Sequence, residues 1–258
     1  MDLDCYQVKI YLIINFYHTI GNRMDIDVDY IKQNGYAVLP NFLTEQEVKQ
    51  LQDLCDNSPV AMGETWPGQD GKTEYLPNLD QKEYMHWWSY NMSEHAIVQQ
   101  VKDKIKPMAD KCFNGEFEQL GGDFKVTNPN SGYMYCHFDT PYRHDRWAND
   151  FGEDIKGMQF GIALDKFDDV SGGTRILPGS HKKVYHKTDM DARKHDEEFI
   201  RDGITMELEP GGLFCYHSRT MHSTMPNNSN KPRRLMLLLH LWNDHTFRQE
   251  LQQEESKC

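Results

Sequence analysis

Along most of this chain, apolar and polar positions alternate with a period of two, or apolar residues run together for four to eight positions between turn residues. Both patterns predict β-strands. They occur at Tyr36–Pro40, Phe124–Asn128, Tyr133–Asp139, Met158–Asp165, Thr174–Leu177, Ile204–Leu208, Leu213–His217 and Leu235–Trp242. Helical spacing is confined to the first half. Asp27–Gln33 is a short helix candidate that stops at Asn34-Gly35. Thr44 with Glu47 three residues on forms a capping box, and Val48, Leu51, Leu54 and Cys55 lie on one face of a helix over 45–56. A second amphipathic helix starts at Ser93, carries Ile97, Val98, Val101, Ile105 and Met108, and is shortened or kinked by Pro107. Residues 57–82, rich in Gly, Pro, Asn and Asp, read as a loop. Glu209–Gly212 reads as a hairpin turn. The charged run 182–203 reads as a solvated surface helix or loop, or as a lid. Many short strands with helices near the start indicate a mainly β fold, a sandwich or barrel with flanking helices.

Composition narrows the classes. The chain has 258 residues, enough for one large domain, and 12% of them are aromatic, which fits a packed globule. The expected organisation is an N-terminal extension over 1–23, a single domain over 24–245 and a polar tail over 246–258. The net charge of −12 argues against nucleic acid as a partner. Val8–Ile20 is apolar but too short to span a membrane and lacks signal-peptide flanks. The six cysteines include no CxxC pair and predict free thiols in a reducing cytoplasm, with Cys136 and Cys215 as small core residues. Nothing in the chain sets the oligomeric state.

The stretch Tyr133-Met-Tyr-Cys-His-Phe-Asp139 changes the picture. In a strand, residues i and i+2 share a face, so His137 and Asp139 project together. They supply two thirds of the 2-His-1-carboxylate triad that holds non-haem Fe(II) with open positions. His217 and His222 are both candidates for the second histidine. Arg233 stands eleven residues after His222, whereas Asn228 occupies that spacing after His217. A guanidinium there matches the far carboxylate of 2-oxoglutarate.

Three blocks, HFD at 137–139, GGTRILPGSHK at 172–182 and HSRTMHSTMPNNSNKPR at 217–233, occur in this order, after an NGYAVLPNFLTEQEV start. Together they resemble the phytanoyl-CoA dioxygenase-like branch of the Fe(II)/2-oxoglutarate oxygenases, over about residues 26–242. The resemblance implies a double-stranded β-helix, the cupin-like jelly-roll. It matches His137, Asp139 and His222 to the iron ligands, Arg233 to the 2-oxoglutarate arginine and Thr224 to a hydroxyl near the same carboxylate. Arg175 and Pro178–His181 match a signature read as mainly structural.

The implied cofactors are Fe(II), 2-oxoglutarate and O2, with ascorbate in support. The implied reaction releases succinate and CO2 and hydroxylates an unactivated C–H bond; desaturation, epimerisation and ring formation draw on the same oxidant. Related halogenases carry a small residue in place of the carboxylate, so Asp139 disfavours halogenation. The expected substrate is a small polar metabolite, an amino acid or a natural-product scaffold. Tyr135, Tyr142, Arg143, Trp147 and His217 are candidate substrate contacts, and His217 also reads as an interior histidine with a hydrogen-bonded partner. Rival readings are a metal-binding jelly-roll that uses no 2-oxoglutarate and a non-catalytic binding protein. A zinc hydrolase lacks its His-Glu-x-x-His or cysteine pair.

Overall fold

The structure, a computed structural model, describes residues 25–66, 84–90, 92–113, 117–134, 136–139, 155, 157–183 and 196–242. Helix α1 (Val28–Asn34) is capped at its start by the Asp27 side chain, which accepts from the Tyr30 N–H at 3.0 Å. It ends at Gly35, whose φ of 86° is left-handed. A Cβ at Gly35 would also lie 2.5 Å from His181 Nδ1 and 2.6 Å from Thr220 Oγ1, so this corner requires glycine twice over. Strand β1 (Tyr36–Leu39) follows, then α2 (Glu45–Asn57) with both bonds of the Thr44–Glu47 capping box. Strands β2 (Met62–Trp66) and β3 (Tyr84–Ser89) precede α3 (Ala96–Cys112). The remaining elements are β4 (Phe117–Thr127), β5 (Gly157–Ala163), β6 (Thr174–Ile176), α4 (Asp196–Asp202), β7 (Ile204–Thr205), β8 (Leu213–His217), β9 (His222–Thr224) and β10 (Arg233–Trp242).

The strands form two sheets. One has seven strands in the order β1-β8-β5-β10-β4-β3-β2, all antiparallel neighbours. The other has three, β7-β6-β9. Two isolated bridges add to the small sheet, His137↔His222 at β9 and Ser131↔Asn227 just beyond it. This is the expected jelly-roll.

Period-two alternation sorts the large sheet into two faces. Leu213 and Cys215, Met158, Phe160 and Ile162, and Met236 and Leu238 pack with α2 and α3 residues such as Leu51, Val101 and Ile105. The opposite face, turned to the small sheet, carries Phe214, Tyr216, Leu235 and Leu237, which pack with Phe167, Ile176 and Met206. Gly161 has no side chain because the Phe214 ring occupies the place where its Cβ would sit, 2.2 Å away. Burying each large side chain of this kind contributes about 1.5–3 kcal/mol.

Several expectations are corrected. The described residues of the predicted strand Tyr133–Asp139 form no regular ladder: they meet β9 at the bridge His137↔His222 and through Met134 N–H on Thr224 O at 3.1 Å, with the Ser223 hydroxyl on Met134 O. The 57–82 loop contains β2, an edge strand paired with β3. Glu209–Gly212 is a corner between the two sheets rather than a hairpin, since β7 and β8 lie in different sheets. Helix α3 runs through Pro107 to Cys112, and Ser93 lies in a preceding 3-10 turn (Met92–Glu94) where its hydroxyl donates to Gly121 O. Strand β4 starts at Phe117, ahead of the predicted Phe124, with a bulge opposite Leu237/Leu238. Part of the charged run, Asp196–Asp202, is helical. Residues 1–23 and 246–258 lie outside the described residues. The four described cysteines, Cys55, Cys112, Cys136 and Cys215, are free and buried. No helix among the described residues is long and apolar enough to cross a membrane.

Candidate metal centre

His137, Asp139 and His222 come together between the two sheets, each offering one ligand atom, with those atoms within 4.8 Å of one another. Backbone pairing sets this up. His137 N–H donates to His222 O at 2.9 Å, and His222 N–H donates to His137 O at 3.0 Å. The two rings therefore sit side by side, with centroids 4.3 Å apart. Asp139 is held by its own N–H on Ser218 O at 3.3 Å.

The hydrogen bonding of His222 fixes its tautomer. Nδ1 lies 3.0 Å from the Thr220 carbonyl oxygen, which only accepts, so Nδ1 carries the hydrogen. The other ring nitrogen, Nε2, faces Asp139 Oδ1, 3.2 Å away. The donor set of two imidazoles and one carboxylate suits a divalent transition metal. Burial pushes the Asp139 carboxyl up, but His222, then His137 and a hydrogen bond from the Tyr216 hydroxyl outweigh it and hold the group at about 2. Asp139 is thus an anion in the working pH range.

Tyr216 was not singled out from the sequence. Its ring lies 4.5 Å from that of His222, and its hydroxyl bonds Asp139. The strand Leu213–His217 reads as uniformly apolar, and no pattern in it says which face turns to the site. Lys125 was missed too, although a lone charge inside the strand FKVT is a usable signal. Its ammonium lies 3.4 Å from Thr224 Oγ1, 3.5 Å from Met134 Sδ and 5.3 Å from the Trp88 ring centroid. Thr224 is itself buried two residues beyond His222. The adjacent tryptophans divide by strand alternation: Trp87 packs on the helix side and Trp88 on the inter-sheet side.

The two arginines at the start of β10 point opposite ways. Arg233 is buried between the sheets, with Nη1 donating to Ser171 O at 2.6 Å and Nη2 to Thr127 Oγ1 at 3.0 Å. Its guanidinium lies 5.3 Å from the Phe167 ring centroid. Arg234 turns outward and pairs with Asp165 and Asp56. His217 stands apart from the triad: it is buried, its Nδ1 accepts the Arg219 N–H at 3.0 Å, and its ring lies 5.4 Å from that of His181. Burial first, then His181 and Arg219, push His217 well below the usual histidine range. Tyr135, Tyr142, Arg143 and Trp147 lie outside the described residues.

The sequence matches the family described as phytanoyl-CoA dioxygenase (PhyH) over residues 31–235, most of the chain. The chain belongs to the phytanoyl-CoA dioxygenase family. It is accordingly an Fe(II)- and 2-oxoglutarate-dependent oxygenase. Among curated relatives of this family member, a probable alpha-ketoglutarate-dependent hypophosphite dioxygenase of Stutzerimonas stutzeri is 25% identical over 222 residues, covering 79% of this chain and 73% of that protein. A methylphosphonate hydroxylase of Gimesia maris is 22% identical over 218 residues, covering 83% and 79%. Among solved structures, HygX from Streptomyces hygroscopicus with nickel and 2-oxoglutarate bound shares the fold with a TM-score of 0.63 at 12% identity, covering 87% of this chain and 88% of that one.

Proposed function

We propose that this phytanoyl-CoA dioxygenase family member hydroxylates an unactivated C–H bond of a small molecule, with His137, Asp139 and His222 as the iron ligands. The observation that carries the assignment is the convergence of these three ligand atoms, from two segments of the chain, within 4.8 Å. Bound Fe(II) with 2-oxoglutarate supplies an oxidant at the cost of decarboxylating the cosubstrate to succinate.

The chain's own residues prepare the site. The Thr220 carbonyl keeps the hydrogen of His222 on Nδ1 and leaves Nε2 to bind. Tyr216 donates to Asp139 and so ties up part of the carboxylate's lone-pair capacity, favouring one free oxygen toward the metal. Arg233 receives the far carboxylate of 2-oxoglutarate. Ser171 O and Thr127 Oγ1 hold its guanidinium in place beforehand, so little ordering entropy is left to lose on binding. Thr224 adds a hydroxyl and Lys125, 3.4 Å from it, a second cation. The retained carboxylate Asp139 favours hydroxylation over halogenation. The names of two relatives, for methylphosphonate and hypophosphite, denote small molecules and support that substrate class.

Purified protein with Fe(II), 2-oxoglutarate and ascorbate in air is expected to form succinate slowly without substrate, and His137→Ala to form none. Equal succinate from both proteins would overturn the assignment.

A further inference from the structure

Helix α4 lies against the outer side of the small sheet, directly behind the metal ligands. Phe199 in this helix is fully buried and packs with Tyr133, Cys136, Leu177 and Met221. Cys136 and Met221 are the residues immediately before His137 and His222. Neighbours along an extended chain face opposite sides. The two histidines therefore turn inward, where His222 meets Tyr216, and the residues preceding them turn outward onto Phe199. One ring thus backs both ligand-bearing strands where they pair.

Arg175 keeps that ring in position. It stands opposite Ser223 in the β6–β9 ladder, beside His222. Its Nη2 donates to Ile200 O at 2.6 Å and its Nε to Phe199 O at 3.4 Å, and its guanidinium lies 6.0 Å from the Phe199 ring centroid. These carbonyls belong to the last turn of α4, where a cation is favoured, and Phe199 O also accepts the Gly203 N–H at 2.9 Å. Nη1 completes the clamp on Thr205 Oγ1 at 3.1 Å.

The geometry points to Phe199 and Arg175 as positioning residues for the metal site: an outer brace that sets the spacing of His137 and His222. This rests on the reading of His137, Asp139 and His222 as the iron ligands. The physical reason is that short, interrupted pairing leaves the ligand strands dependent on what packs behind them. Truncating Phe199 opens a hole into which Cys136 and Met221 shift, carrying the adjacent histidines with them. Arg175 acts at one remove, by keeping α4 docked.

The test is an anaerobic titration of the full-length protein with Fe(II) against a competing chelator, with thermal unfolding of the same samples. Phe199→Ala and Arg175→Met are each expected to weaken binding by about tenfold, the lower end of what loss of an outer-shell partner costs. Phe199→Leu, which restores most of the volume, is expected to stay within about threefold of wild type. If Phe199→Ala does not fold, Arg175→Met makes the comparison from outside the cluster. Lower thermal stability with unchanged Fe(II) affinity in the brace variants, while His222→Ala abolishes binding, would overturn the brace and leave the metal centre standing. Undiminished binding in His222→Ala would instead overturn the reading on which the brace rests.

Discussion

The large sheet is paired along long strands with one bulge between β10 and β4, and helices or side chains bury both faces of its central strands; the small sheet is short, broken and held by side chains. Every residue of β10 from Arg233 to Trp242 has a partner in β4, with one bulge, and seven of them also have one in β5. In the small sheet the strands are two or three residues long. The ligand segments there are fixed by Ser180 Oγ receiving the Met221 N–H at 2.8 Å, by Thr220 Oγ1 on Gly35 O at 2.8 Å and by the Ser223 hydroxyl on Met134 O. His137, Asp139 and His222 thus sit on the less regular sheet, while the large sheet carries most of the core and turns Tyr216, Lys125 and Arg233 toward them. The large sheet supplies the stability that lets the small one depart from a regular ladder, and those departures aim His137, Asp139 and His222 at one point.

This division can be broken most severely at the ligands. His137→Ala is expected to lower succinate formation by on the order of a thousandfold, the several kcal/mol that metal chemistry supplies, while thermal unfolding shifts little. Phe160→Ala, on the helix side of the large sheet, is expected to do the reverse. Denaturant unfolding is predicted to lose about 3–5 kcal/mol, with near-normal turnover per folded molecule. A variant that moved both readouts equally would break the comparison.

Acid is expected to act on stability through three buried histidines. Burial, followed by nearby cations, pushes His86 down to about 4 and His217 well below its usual value; burial also lowers His181 against the Lys32 carbonyl's opposing pull. Their folded values lie below the unfolded value of about 6.5, so the unfolded chain binds more protons beneath that pH. The stability they allow is complete above about pH 6.5 and is lost as pH falls toward their folded values. Between pH 7.5 and 5.5 the loss is expected to be roughly 1 kcal/mol from His86, with His217 and His181 acting in the same direction, read by denaturant titration. The lowered Asp139 adds nothing in that window, since it stays ionised in both states.

The two arginines sharpen the comparison at smaller magnitude. Arg233→Ala is expected to raise the Kd for 2-oxoglutarate about 10–100-fold, the loss of charge-assisted bonds worth roughly 1.5–3 kcal/mol. Arg234→Ala, which severs the bidentate pair with Asp165 and the contact with Asp56, is expected to cost about 1–3 kcal/mol of stability and leave 2-oxoglutarate affinity unchanged.

Much of this was legible in the residues because period-two alternation is strict where a strand has two different faces. Apolar runs of strand length between turn residues marked β5, β8 and most of β10, and alternation set Arg233 and Arg234 on opposite sides. Alternation failed where local chemistry mimics a loop. Gly121-Gly122 reads as a break but forms the bulge that lets β4 continue back to Phe117. Met62–Trp66 is hidden in a polar run because an edge strand needs pairing more than burial. At the site, His137 and Asp139 declared themselves by spacing, whereas Tyr216 and Phe199 did not. Their roles come from long-range packing, which a single sequence does not encode as a pattern.

The most direct measurement is the stoichiometry of Fe(II) and 2-oxoglutarate binding under anaerobic conditions in wild type, His222→Ala and Arg233→Ala. The account predicts one Fe(II) per chain in wild type, none in His222→Ala, and metal-dependent 2-oxoglutarate binding that Arg233→Ala weakens. Undiminished Fe(II) binding in His222→Ala, or 2-oxoglutarate binding indifferent to both the metal and Arg233, would contradict it.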